Sequence, residues 1–598
     1  MKSLLSAKTA GHILSFLGCI TGYIAFTLLL RLTAPNGVNL AAEKNLVLWG
    51  SLVFYLICLV GRFRLRPMIL PGFFLSLYLS TAFLQILTHM TVNGKELVIT
   101  LSLGLFLYGF YTAIHLLQNI FQNRWYRLTI RVISAFLLSA LLLYPLCFWG
   151  YYAMSGQFLT VDIVLTLFQT NLSEALAFIR NFVNPLYLLG AIFSAAGLFA
   201  LAAWQQKYIL PPPSKWTFVL ILLLAGVSIA KLPAAMDCQA GSLILTTRYE
   251  LAAYKNYGES QKKREEQLKS IASLKLTQNE KGIYLLILGE SQTRNHMQIY
   301  GYSRETTPWL QKEADKGNLI LFQNAYSNTV STVPSITYAL SEKNQYNDLS
   351  LADAYSILEV AKAAGYKTYW LSNQFKWGPY DTPITDIAAT AEKQVWINNR
   401  AGDVDNASYY DEKLADVFPD LSQDAHALVV VHLMGCHWTY SDRYPKEYDL
   451  FHDGDDRVDT YDNAVLYTDH VLSRLVEGLQ KYPHFKGWVY MSDHGEDADA
   501  HLGHNATLFT WPMARIPLIM SFTPSFASEN SAVLEELKAH KDAYWTNDLL
   551  YEAMTTILGI EGAPRTSDAW NLASPSYRGS AENLKTLHGK KSLAEEAQ

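Results

Sequence analysis

The fold class this sequence predicts is an N-terminal polytopic helical membrane domain followed by an α/β sandwich with a mostly parallel sheet. Three observations carry that expectation. Half of the 598 residues are hydrophobic, yet nearly all the long apolar runs precede residue 240. Basic residues gather in alternate loops between those runs. After Lys281 the pattern becomes short apolar strand, polar loop and helix, repeated. The expected divisions are a membrane domain over 1–236, a charged helical linker over 237–280 and an extracytoplasmic domain over 281–598.

The membrane expectation rests on seven apolar stretches, at 11–33, 46–62, 69–90, 97–119, 128–150, 186–204 and 216–235. Each approaches the ~20 residues a helix needs to cross a bilayer. The first lacks a small-residue cleavage site, so it reads as an anchor and not a removed signal. Lys2 and Lys8, Arg62 to Arg66, Arg124 to Arg131, and Lys207 with Lys215 all fall on one side if seven spans are real. That side is cytoplasmic by the positive-inside rule, which places the C-terminal domain outside. The outer loop 151–185 has helical periodicity broken by Asp162, Gln169, Asn171 and Glu174. It suits an amphipathic helix in the membrane interface, or a plain connector.

Charge and cysteine usage exclude some functions. The net charge of −5 and the lack of a long basic tract argue against nucleic-acid binding. None of the five cysteines forms a CxxC pair. Cys238 and Cys436 alone lie outside the apolar segments, and their pairing stays open. Residues 249–280 are highly charged and read as a helical linker with a solvated face.

The second domain reads as strands at Ile283–Leu288, Lys367–Leu371, Ala427–Leu433 and Gly487–Met491, with helices at Leu351–Ala364 and Tyr461–Leu479. Such alternation predicts helices flanking a parallel sheet, with the site beyond the carboxyl ends of the strands. Glu290, His437 and Asp493-His494 sit at those ends. Glu290, Asp493 and His494 offer two carboxylates and an imidazole. With the Thr332 oxygen they make a four-ligand set suited to Zn2+, with Mn2+ as second choice. A threonine hydroxyl needs activation to act as a nucleophile, and a divalent cation supplies it. The run from Thr332 to Ser341 reads as a helix start able to receive phosphate oxygens. Taken alone, Ser331 or Thr332 would be a helix cap, and Thr329, Ser331 and Ser335 are rival hydroxyls. His437, His501 and His504 are candidates to stabilise phosphoryl oxygens and protonate a leaving oxygen. His432, inside an apolar strand, reads as structural.

Taken as a set, LILGESQTRNHMQIYGYSRETTPWL from Leu286, HLMGCHWTYSDRYP, YDNAVLYTDHVL and SDHGE resemble the bacterial phosphoethanolamine transferases. These belong to the sulfatase branch of the alkaline phosphatase superfamily. The resemblance implies an alkaline phosphatase/sulfatase-like domain with metal ligands at Glu290, Thr332, Asp493 and His494. It implies Thr332 as nucleophile and His437 and His504 as catalytic, phosphate-binding histidines, with His501 the alternative to His504. QTNLSEAL resembles a family segment beside the membrane, which makes Asn171 and Glu174 substrate-binding candidates. The implied reaction moves phosphoethanolamine from phosphatidylethanolamine to an envelope glycan or glycolipid, lipopolysaccharide lipid A or core, through a phosphothreonine intermediate. The implied place is the bacterial inner membrane, with the catalytic domain periplasmic. Alternatives are a membrane-anchored sulfatase or phosphodiesterase, a glycerol-phosphate transferase, and a non-catalytic lipid-binding envelope protein. The chain has no CxPxR-like sulfatase nucleophile motif.

Overall fold

The computed structural model describes residues 123–155, 157–169, 185–205, 239–277, 281–374, 382–398, 409–504 and 506–596, with scattered single positions among the first 226. The chain divides into two compact units. One comprises Met1–Leu165 with Ser173–Tyr249, the other Thr166–Leu172 with Glu250–Gln598.

Helices α1 (Arg124–Ser155) and α3 (Pro185–Gln205) lie in the first unit, and the unit boundary falls within α2 (Val161–Gln169). The expected spans at 128–150 and 186–204 fall on α1 and α3, which pack together. The other five lie outside the described residues apart from single positions, as do Asn171, Glu174 and Cys238. Among the described residues, no helix is long and apolar enough to cross a membrane. Leu84, Phe148, Phe158, Leu159 and Leu243 form a small buried cluster in this unit. Beside it the Trp149 indole donates to Ser80 Oγ at 2.7 Å.

The second unit is built on a seven-stranded sheet. Its strands are β1 (Gly282–Gly289), β2 (Ile320–Leu321), β3 (Lys367–Ser372), β4 (Lys393–Trp396), β5 (His426–His432), β6 (Phe485–Ser492) and β7 (Leu518–Phe522). Their order across the sheet is β2-β7-β6-β1-β5-β3-β4. The run β6-β1-β5-β3-β4 is parallel, and β7 and β2 add an antiparallel edge. The sheet is mostly parallel, as expected, and mixed only at that edge. Short strands such as β2 and β4 carry too few residues to show a period.

Every residue of β1 is buried, because both faces of the sheet are covered. Alternate side chains feed different cores. Tyr284, Leu286 and Leu288 enter one, while Ile283, Leu285 and Ile287 enter the other. The second core is closed by α8 (Asp456–Gln480), through Tyr461, Val465, Leu472 and Val476. That helix starts earlier than the apolar pattern suggests, because Asp455 caps it by accepting from Arg457 N. The helix expected over Leu351–Ala364 is, by contrast, shorter. A 3-10 turn at Leu351–Asp353 precedes α7 (Ile357–Ala364), which opens on a Ser356/Glu359 capping box.

The linker reading needs correction. Residues 239–269 are helical, as α4 (Gln239–Glu259) and α5 (Gln261–Lys269), and the boundary between the two units falls within α4. One face of this stretch is not solvated: Tyr257, Arg264 and Leu268 are buried in the second unit. Arg264 Nε meets Glu359 Oε1 at 3.1 Å, and both side chains are 1% exposed. Its Nη1 donates to the Tyr257 and Ala352 carbonyls, and the guanidinium lies 4.0 Å from the Tyr257 ring centroid. Arg264→Met is expected to cost about 3–5 kcal/mol of stability, because it strands the Glu359 carboxylate in the core. Denaturant unfolding of the purified chain measures this; a cost below about 1 kcal/mol contradicts it.

Candidate metal and phosphoryl-transfer site

Three adjacent strands of the parallel run, β6, β1 and β5, end at one edge of the sheet and each hands over site residues. Past β1 comes Glu290, past β6 the Asp493-His494 pair, and past β5 the turn that ends at His437. The fourth contributor, α6 (Thr332–Ala339), begins with Thr332.

Thr332 Oγ1 lies 3.2 Å from Glu290 Oε1 and 3.3 Å from His494 Nε2. His494 Nε2 is 3.5 Å from Glu290 Oε1 and 3.3 Å from Asp493 Oδ2. Neither Ser331 nor Thr332 caps α6 through its side chain, because Ser331 is extended without a cap hydrogen bond. The rival Ser335 has another task. It is buried, and its hydroxyl donates to the Asp493 carbonyl at 2.6 Å. Asn547 Nδ2 reinforces that link by donating to Ser335 Oγ and Asp493 O. The start of α6 is thereby pinned to the Asp-His pair.

The ligand atoms are oriented by their neighbours. Ser291 takes a left-handed backbone, φ 54°, and uses both its groups. Its N–H donates to Asp493 Oδ1 and its hydroxyl to Glu290 Oε1. His494 Nδ1 sits 2.9 Å from the Gly495 carbonyl, so it carries the proton and turns the Nε2 lone pair toward Thr332. Glu290 Oε2 and Asp493 Oδ2 are buried with no hydrogen-bond partner. Burial, and then the Asp493 charge, push the Glu290 carboxyl well above the usual carboxylate range. Two buried, orphaned carboxylate oxygens beside an imidazole lone pair and a hydroxyl are what a divalent cation satisfies. Glu290, Asp493 and His494 each offer a ligand atom within 4.8 Å of the others. The residues present thus fit the four-ligand set expected from sequence.

The histidines separate. His504 Nδ1 lies 2.8 Å from Glu496 Oε2, and its ring centroid is 4.4 Å from that of His494. Burial opposes its charge, but Glu496 and Asp493 together outweigh burial, so the His504 pKa lies above its ordinary value. His501 is exposed and pairs with Asp455 at 2.8 Å, so it is not brought to the cluster. His437 Nδ1 bonds the Trp438 carbonyl at 2.7 Å. His432 is buried in β5, and burial depresses its pKa to about 4. Cys436 is a buried free thiol.

Several functional neighbours have no sequence signal. Asp411, in a polar loop, accepts from the Met434 and Gly435 N–H groups and shapes the turn before His437. Tyr440 donates to Glu496, which in turn holds His504. Gly435 has φ 52°, and a Cβ there would stand 2.8 Å from Glu290 O and 2.9 Å from Glu290 N. Gly435→Ala is therefore expected to cost about 1–3 kcal/mol in backbone strain and to shift Glu290. The check is metal content by atomic emission beside the unfolding midpoint; unchanged values in both contradict the expectation.

A family model for sulfatases matches residues 283–560. Among curated proteins the chain is similar to phosphoethanolamine transferase EptC of Escherichia coli (strain K12). It is 28% identical over 433 residues, covering 65% of this chain and 74% of that protein. It is likewise similar to phosphoethanolamine transferase CptA of Salmonella typhimurium, 27% identical over 436 residues, with the same coverage of 65% and 74%. Among solved structures it resembles the integral membrane lipooligosaccharide phosphoethanolamine transferase A of Neisseria meningitidis. That likeness is 18% identical with TM-score 0.54, covers 80% of this chain and 90% of that chain, and concerns the fold.

Proposed function

We propose a specific transfer reaction for this enzyme, a member of the phosphoethanolamine transferase family whose residues 283–560 form a sulfatase-family domain. The donor is phosphatidylethanolamine and the acceptor an envelope glycan or glycolipid, with lipopolysaccharide lipid A or core first among them. The observation that carries the reading is the meeting of the Thr332 hydroxyl with Glu290, Asp493 and His494 at one buried point.

In the first step Thr332 Oγ, its hydroxyl proton already lost to solvent, attacks the donor phosphorus. A new Oγ–P bond forms as the bond from phosphorus to the diacylglycerol oxygen breaks. Glu290, Asp493, His494 and Thr332 would hold a divalent cation, Zn2+ before Mn2+, which would supply charge stabilisation and lower the hydroxyl's pKa. His504, held by Glu496, gives a proton to the departing glycerol oxygen, and diacylglycerol leaves. In the second step an acceptor hydroxyl or phosphate oxygen attacks the phosphoethanolamine–Thr332 diester. A proton from the acceptor hydroxyl, or from solvent where the attacking phosphate oxygen carries none, returns to His504, and Thr332 leaves in its deprotonated form, ready for the next cycle. His437, on the turn next to Glu290, faces the phosphoryl oxygens. Residues 1–236 form the membrane domain that keeps the enzyme in the plane of its donor, with Asn171 and Glu174 as further substrate-binding residues. The enzyme resides in the inner membrane, its catalytic domain on the periplasmic side.

The test is incubation of envelope membranes and the purified chain with phosphatidylethanolamine labelled in the ethanolamine. Label appearing on a glycolipid supports transfer. Label released only to water turns the assignment to a phosphodiesterase-type hydrolase.

A further inference from the structure

Resting on the phosphoryl-transfer reading, we propose that Arg457 is an anion-binding residue of the site and holds a phosphate oxygen of a bound substrate. Arg457 is the second residue of α8 and is only part-buried. Its guanidinium carbon lies 4.3 Å from the ring centroid of Trp438, the residue after His437. Its Nη1 donates to the His501 carbonyl at 3.0 Å. Its Nη2 lies 3.8 Å from where a Cβ on Gly503, the residue before His504, would stand. Arg457 thus bridges the two loops that carry the phosphate-facing histidines.

The charge around it is what points to a ligand. Among the described residues Arg457 makes no ion pair, and its Nε is buried with no hydrogen-bond partner. Nearby acids are committed elsewhere: Asp455 to His501 and Glu496 to His504. Arg304 offers the contrast, since Asp453, Asp459 and Asp462 all engage it. A guanidinium lodged against an aromatic face beside the Tyr440 hydroxyl, with its Nε–H unpartnered and no carboxylate in ion-pair contact among the described residues, is suited to an incoming oxyanion. It would meet phosphate through a planar fork, which a histidine cannot present. The oxygen could belong to the donor's phosphodiester or to a phosphate on the acceptor glycolipid.

The test uses the full chain, zinc-loaded and in detergent, as wild type, Arg457→Gln and Arg457→Lys. Inorganic phosphate binding is followed by calorimetry, with zinc content and unfolding midpoint as controls for folding. Arg457→Gln is expected to weaken phosphate binding about tenfold or more, the size of one charge-assisted hydrogen bond, with the controls unchanged. Arg457→Lys keeps the charge without the fork and should fall between; it decides alone if the glutamine variant fails to fold. No phosphate binding by wild type, or equal affinity in wild type and a folded variant, overturns the proposal. Kinetics with labelled phosphatidylethanolamine then locate the phosphate. A raised KM for donor in label release assigns it to the donor, and a raised KM for glycolipid alone assigns it to the acceptor. Neither KM changing overturns the assignment. A wild type that binds phosphate but moves no label defeats the transferase reading and leaves the anion site standing.

Discussion

Thr332→Ala is expected to leave a folded, metal-binding protein whose ethanolamine transfer falls by a factor on the order of 10⁴ or more. The substitution removes the one oxygen placed 3.2 Å from Glu290 and 3.3 Å from His494 at the open end of the cluster. It removes little else. Thr332 is part-buried, it does not cap α6, and Ser335 and Asn547 keep the helix start in place. Stability should therefore shift by less than about 1 kcal/mol, as surface changes commonly do. Three carboxylate and imidazole ligands remain, so bound zinc should still be measurable. Thr332→Ser restores a hydroxyl at the same backbone position and should recover activity to within about tenfold of wild type. The measurement is steady-state transfer of labelled ethanolamine beside metal analysis. Full activity in the alanine variant would falsify the assignment of the nucleophile.

Glu290→Gln should act with opposite signs on the loaded and the empty protein. In the empty protein the Glu290 and Asp493 carboxylates face each other in a buried space, each with an unpartnered oxygen. Removing one charge relieves that conflict, so the metal-free variant should be about 1–3 kcal/mol more stable than metal-free wild type. The same change deletes an anionic ligand, and zinc affinity should drop on the order of 100-fold or more, since outer partners alone typically account for 10–100-fold. Transfer at limiting zinc should fall in step. Chelation of wild type should lower its stability by the linkage free energy, ~4 kcal/mol at a thousandfold excess over Kd, and its melting midpoint with it. Thermal melts with and without chelator give both signs. If wild type melts alike in both conditions, the cluster is not a metal site.

Much of the site was legible because its residues end apolar strands. Glu290 follows LLILG, and Asp493-His494 follow WVYMS; a short buried run broken by a charged residue marks a strand's carboxyl end. The helix that holds Thr332 showed itself by a proline in its first turn. The order of strands did not. Placing β1 between β5 and β6 pairs segments far apart in the chain, and periodicity reports only local shape. Asp411 and Asn547 stayed hidden because polar residues in loops carry no period at all. Arg264 misled for a different reason: a charge in a run of charges is nearly always solvated, and its partner Glu359 lies 95 positions away. His501 and His504 could be separated only by geometry, since both follow the same turn within a few residues.

The neighbouring arrangement of β6, β1 and β5 has a consequence for how this enzyme fails. Their backbones are knitted together residue by residue, from Ile283 to Gly289, between two apolar layers. Local fraying of loops and termini does not reach such strands, which open only with the whole domain. The candidate metal ligands at their tips are thus tied to the last part of the domain to come apart. Heat or denaturant should not erode catalysis gradually ahead of melting; competence and the folded state are lost together.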